Sequence, residues 1–225
     1  MAALFPVLWV IHKENRRVFT EIRTEDKMKN KQQILYLVTL SLLAALTILL
    51  GFTPIGMLNL GFIYISILSL PVIIGTLTLG LKGGLVLGLC FGTVSFIKAL
   101  NAPSTLVAPL LSKSILYVIL LCYVPRAMIP VTLTLSGRWL KRVNEKTALL
   151  IRAVIGSMTN TILYMGGMLL LYILSGTDAA ALLATLAGVV FGAGLAEAAV
   201  CALLSYPIIR GLQKARLLEP LQNKQ

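Results

Sequence analysis

Residues 115–146 read ILYVILLCYVPRAMIPVTLTLSGRWLKRVNEK, an apolar run closed by a basic stretch. A helix that crosses a bilayer needs about 20 predominantly apolar residues, and basic residues concentrate in loops that stay in the cytoplasm. The segment therefore reads as a span over about 110–137 that ends in a cytoplasmic loop, RWLKRVNEK. Inside that span stands Arg126, with Pro125 before it and Pro130 after it. An ionisable side chain at membrane depth marks a functional site until its partner is found.

Composition places the rest of the chain in the same class. Of 225 residues, 58% are hydrophobic and 12% charged, against about 25% charged in a soluble domain. The net charge is +12, and most Lys and Arg lie in the first 31 residues, around 138–152 and in 210–224. Those charges flank spans and form no basic face, which argues against a nucleic-acid partner and for a lipid bilayer. Cys90, Cys122 and Cys201 all fall in apolar runs, match no metal spacing, and read as small buried hydrophobes. No cofactor is expected.

Working outward from the quoted span gives an all-α polytopic membrane protein with six transmembrane helices. The other spans are expected at about 34–52, 62–81, 83–100, 147–174 and 180–209. FTPIG, GLKGG and SGTDA supply turns between them, and NAPSTLVAP a proline-rich loop. With a basic N-terminal segment inside, both termini are cytoplasmic, and Lys82, Arg138–Arg142 and the tail fall on the inner side. The expected organisation is a cytoplasmic segment 1–33, a six-helix domain 34–210 and a basic cytoplasmic tail 211–225. Two readings stand for residues 1–27: an extension from an upstream start, with Met28 opening the polar lead-in MKNKQQ, or an amphipathic helix on the membrane surface.

Lipid gives helices no hydrophobic reason to associate, so small residues that allow close backbone approach do much of that work. Gly84, Gly88 and Gly92 recur every four residues in the third span, and Ala184, Gly188, Gly192 and Ala196 in the sixth. Each set predicts a flat groove on one helix face. Ser41 and Ala45 make one further pair in the first span.

At 1.5 Å per residue, Arg126 lies about 18 Å above Arg138 and Glu197 about 20 Å above Arg210, with Asn160 similarly far above Thr147. Three polar side chains from three helices are thus expected to converge near mid-membrane. Ser157, Asn160 and Tyr164 share one face of the fifth helix, with Gly156 and Gly167 leaving space, and Tyr123 sits about one turn before Arg126. Each proline removes an intrahelical hydrogen bond near the charge, so freed carbonyls help line a cavity. Two readings follow. Arg126 and Glu197 pair as a structural salt bridge, or the guanidinium grips a ligand carboxylate through paired hydrogen bonds while Asn160 and Glu197 bond its amide and hydroxyl groups.

An enzyme is not expected. No histidine lies in a span, since His12 is outside them all, and neither a nucleophile–base pair nor a carboxylate pair can form there. No GK[ST] phosphate loop appears, so ATP use would need another subunit. No internal repeat marks a self-sufficient secondary transporter.

In order along the chain, SLLAALTILLGFTPIG, LPVIIGTLTLGLKGGLVLGLCFGTVSF, VPRAMI, GSMTNTILYMGG and GLAEAAVCALLSYPIIRGL resemble motifs of the substrate-binding S components of energy-coupling factor (ECF) vitamin transporters. The resemblance covers roughly residues 35–212, and the GLKGG, PR and TNT elements look most like the pantothenate-type branch. It implies a multi-pass protein of the bacterial plasma membrane that binds a vitamin from outside. Such a protein docks on a membrane coupling subunit carrying two cytoplasmic ATPases, and topples to release its cargo inward. The docking motif maps onto SLLAA, with Ser41 where alanine is more usual and Ala45 matching. The pocket lies in the outer half, capped by TPIGMLNLG, which contains Asn59. Arg126, Asn160 and Glu197 match family pocket positions, and Gly194 stands where the pattern has asparagine.

The residues also bear on the substrate. Flavin, thiamine and folate sites offer aromatic rings for stacking, but Trp9 and Trp139 both fall at the cytoplasmic end. The remaining rings, Tyr64, Tyr123, Tyr164 and Tyr172, with a buried Arg and amide, suit a small flexible carboxylate such as pantothenate. An S component for another vitamin, a solitary solute carrier and a membrane scaffold held by an Arg126–Glu197 pair remain the alternatives.

Overall fold

The computed structural model describes residues 5–53, 56–59, 64–140, 142–177, 179–180, 182–183 and 188–214, with side chains from residue 29 onward except at 57–59, 64–66, 189 and 213. Helix α1 covers Phe5–Phe52, and a short antiparallel hairpin follows, β1 (Met57–Asn59) against β2 (Tyr64–Ser66). The remaining elements are α2 (Ser69–Asn101), α3 (Ala108–Lys113), α4 (Ile115–Trp139), α5 (Glu145–Ser175), a π-helical segment Gly188–Gly194 and α6 (Leu195–Lys214). Contacts divide the chain into two units, Met1–Val38 and Thr39–Gln225. Residues 5–38 of the first are helical, and the second holds every other element.

Five helical stretches among the described residues are long and apolar enough to cross a membrane: Lys29–Phe52, Ser69–Asn101, Ile115–Trp139, Glu145–Ser175 and Val190–Leu212. The second replaces two of the predicted spans. Gly80 lies inside α2 with φ 77°, a left-handed conformation that glycine adopts without a Cβ penalty. The chain doubles back there. A methyl on Gly75 would collide with Leu87, one on Gly84 with Thr76, and one on Gly51 would touch both Leu68 and Val94. Those pairs are symmetric about Gly80, so α2 is two antiparallel arms, 69–79 and 81–101. The first arm is about 16 Å long at 1.5 Å per residue, shorter than a hydrocarbon core. The predicted span over 62–81 is therefore partly hairpin.

Two other boundaries differ from expectation. The fourth span is broken near its start, where Ser114 is extended (ψ 133°) and its hydroxyl caps α4 by accepting from the Leu116 N–H at 3.2 Å. Residues before it form the separate helix α3. The sixth span enters through π-helical turns at Gly188–Gly194, whose wider i→i+5 pattern breaks the four-residue register of its small residues. Gly188 is exposed, and among the described residues nothing lies within 4 Å of an added methyl and no groove contact is made there. Ala184 lies outside the described residues.

The stripe in the third span behaves as the spacing predicts. Gly84 lies against Pro130, Gly88 against the carbonyl of Arg126, and Gly92 against Tyr123 and the carbonyl of Cys122. One groove on the second arm of α2 thus seats the proline-bearing turns of α4. The core behind it includes Leu43, Ile73, Leu87, Phe91, Ile129 and Leu133. Outward faces carry exposed Leu42, Ile173, Phe191 and Leu203, as a lipid solvent permits. Most of the buried Thr and Ser hydroxyls bond carbonyls of their own helix, as Thr47 does to Leu43 (2.8 Å) and Thr76 to Val72 (2.7 Å).

A methyl on Gly88 would stand 2.6 Å from the Arg126 carbonyl oxygen, which is backbone and cannot rotate away. Gly88→Ala is predicted to cost about 1–3 kcal/mol, the usual range for overpacking, while Gly188→Ala costs nearly nothing. Thermal unfolding of the two variants in detergent checks this, and equal losses would refute the groove.

Candidate functional site

The site is built on the same contact between α2 and α4. Pro125 has no N–H, so the carbonyl of Leu121, four residues earlier, loses its helical donor. Arg126 Nη1 donates to that oxygen at 2.8 Å. The guanidinium lies over two rings, 4.9 Å from the Phe91 centroid and 4.6 Å from that of Tyr164. Such cation–π contacts gain strength when desolvated, and Arg126 is only 7% exposed. Its Nη2 reaches Ser95 Oγ at a long 3.4 Å, and its Nε is buried without a hydrogen-bond partner.

Glu197 stands in the first turn of α6, and its Oε1 accepts from Ser69 Oγ at 2.7 Å. Ser69 Oγ is also 3.4 Å from Cys201 Sγ. Among the described residues no Arg126–Glu197 ion pair forms within 4 Å. An ion pair does form elsewhere, Arg210–Glu145 at 3.3 Å, half exposed at the far ends of α6 and α5. The structural salt bridge weighed from the sequence is thus not made. Each charge is instead held by its own polar neighbours.

Between them lies a cavity of about 400 Å³. Arg126, Asn160, Tyr164 and Glu197 all line it, so the three predicted polar residues do meet, together with the predicted tyrosine. Asn160 is buried and its Oδ1 has no partner. Ser157 is fully buried behind the wall, with its hydroxyl near Glu197 and Cys201. Tyr123 is not among the lining residues; its hydroxyl lies 3.0 Å from Thr93 Oγ1, next to Gly92. Asn59 pairs with Tyr64 in the hairpin, and its side chain is outside those described. Gly156 opens no space, because Ile73 and Leu133 fill it, whereas Gly167 has only Leu121 at 3.7 Å. Ser41 and Ala45 are exposed on α1.

Several lining residues were not singled out from the sequence. Phe91, Ser95 and Lys98 follow i, i+4, i+7 spacing on the second arm of α2 and form one wall. Cys122, Met165 and Gly194 add apolar and backbone surface. The helical spacing of Ser95 and Lys98 was a usable signal, and Phe91 sits one turn before Ser95 on the same face. The two aromatic rings in the wall, Phe91 and Tyr164, are both engaged by the arginine. Ligand pockets run from about 300 to 1,000 Å³, so the cavity suits a small solute with an anionic end.

A family model described as "ECF transporter, substrate-specific component" matches residues 35–209. No curated protein matches the sequence. The matched span runs from α1 to α6 and contains every described wall of the cavity. The family is one of transporter components and not of enzymes, and it works with ECF membrane and ATPase subunits on a small-molecule substrate. This chain belongs to the family of substrate-specific components of ECF transporters.

Proposed function

We propose that the chain captures pantothenate outside a bacterial plasma membrane and delivers it inward on a coupling subunit driven by two cytoplasmic ATPases. The observation that carries the substrate reading is the state of Arg126. Its guanidinium is buried at a small cavity, makes no ion pair with Glu197, and keeps an unpartnered Nε. A ligand carboxylate supplies the missing acceptor, and a charge-assisted pair is about twice as strong as a neutral one. Asn160 and Glu197, across the cavity, bond the amide and hydroxyl groups of the same molecule, with Tyr164 against its chain. Ser157 and Tyr123 act from behind the wall, and Asn59 belongs to the hairpin that caps the outer end. Both rings among the described lining residues already carry the guanidinium, which disfavours a flavin or pterin that must stack.

The topology under this reading has six passes with both termini inside. The reversal at Gly80, which makes two arms of α2, supports the count. The basic 138–142 segment and tail support the orientation. Ser41 and Ala45 expose a small-residue face on α1 where a coupling subunit can approach closely.

Calorimetry of purified protein against pantothenate, riboflavin, thiamine, folate and biotin tests the substrate. Pantothenate alone should bind one-to-one, and Arg126→Lys should weaken it about ten- to a hundredfold, the loss of one charge-assisted hydrogen bond of the bidentate fork. Panthenol, which has an alcohol in place of the carboxylate, should bind weakly and equally to both proteins. Binding of a different vitamin would keep the family and overturn the substrate.

Orientation is checked by labelling single cysteines on a background without Cys90, Cys122 and Cys201. A membrane-impermeant maleimide should reach Thr177→Cys in intact cells and Asn144→Cys only after lysis. The opposite pattern would invert the topology.

A further inference from the structure

We propose that Pro125 is a positioning residue that sets which edge of the Arg126 guanidinium a ligand meets, an inference that rests on the substrate reading above. A guanidinium offers two paired edges, Nη1–Nη2 and Nε–Nη2, each able to hold a carboxylate bidentately. Here the first edge is taken. Nη1 donates to the Leu121 carbonyl at 2.8 Å, across five residues of one helix. That oxygen is available because residue 125 is proline and cannot donate to it. The rings of Phe91 and Tyr164 lie against the guanidinium, 4.9 and 4.6 Å from its carbon, and restrict its swing. The backbone cannot shift away, since α4 is pressed onto Gly88 at the Arg126 carbonyl.

What remains is the second edge. Nε is buried and unpartnered, and Nη2 has only the 3.4 Å contact to Ser95. An orphaned buried donor in a native structure calls for an explanation, and a ligand carboxylate across Nε and Nη2 provides one. Ser95 then acts as a placeholder, releasing Nη2 when the ligand arrives. Any other residue at position 125 supplies an N–H to Leu121, loosens Nη1 and lets the guanidinium swing.

The test compares Pro125→Ala with Pro207→Ala, which removes the proline inside α6. Three quantities are read: thermal midpoint, pantothenate affinity, and the solvent-exchange rate of the Arg126 Nη protons in [15N]arginine-labelled protein. Replacing a helix-interior proline relieves strain, so neither variant should unfold earlier than wild type. Pro125→Ala should nevertheless bind about tenfold or more weakly and lose exchange protection at Nη, whereas Pro207→Ala should change neither. A merely structural proline would not separate affinity from stability in this way. Wild-type affinity with intact Nη protection in Pro125→Ala would overturn the proposal. If wild-type protein binds no pantothenate, the substrate reading fails, while the exchange rates still decide whether Pro125 holds Arg126.

Discussion

A guanidinium inside an apolar bundle must be solvated by protein, and the way this chain solvates Arg126 explains much of its architecture. A charge at membrane depth costs about 2.5–3.5 kcal/mol on insertion scales. The simplest offset would be a carboxylate, and Glu197 lines the same cavity. The chain instead gives Arg126 a proline-freed carbonyl and two ring faces, and gives Glu197 the hydroxyl of Ser69. Both charges are stabilised without neutralising each other. Removing one partner of a buried pair is strongly destabilising, at about 3–5 kcal/mol. Keeping the two apart leaves each able to engage a ligand without first breaking such a pair.

That arrangement needs α2 and α4 in close contact, and small residues make the contact possible. Gly84, Gly88 and Gly92 accept Pro130, the Arg126 carbonyl and Tyr123 in succession. One turn beyond the groove, Ser95 reaches the guanidinium, and Phe91 lies under it. The same helix arm that packs α4 thus also builds a wall of the cavity, so packing and recognition are not separable there. On the opposite side, the π-helical entry to α6 brings Ala193 and Gly194 to the wall just before Glu197. Gly194 contributes backbone and no side-chain amide, leaving Asn160 as the carboxamide among the described lining residues.

The features legible in the sequence were those with a strong one-dimensional signal. Apolar length placed most spans within a few residues, and the four-residue glycine period of 84, 88 and 92 located a real groove. Depth counting from the basic ends brought Arg126, Asn160 and Glu197 to one cavity. Features set by tertiary contact were not legible. Apolar length does not distinguish a span from an arm preceded by a hairpin, so 62–81 was overextended. The identical period at 188, 192 and 196 meets a π-helical segment at Gly188–Gly194, which spacing alone did not foretell, and residue 184 lies outside the described residues. Tyr123 is near Arg126 in sequence but its hydroxyl meets Thr93, because the ring packs against Gly92 on the facing helix arm, a contact that spacing along α4 does not give. That Arg126 would satisfy the carbonyl freed by its own neighbour could not be read from spacing.

The most direct measurement is a structure of the chain with pantothenate bound. The account predicts the ligand carboxylate across Arg126 Nε and Nη2, at about 2.7–2.9 Å from each nitrogen, with Nη1 still on Leu121 and Ser95 released. A carboxylate bound elsewhere in the cavity, or an Arg126 that has turned to pair with Glu197, would contradict it.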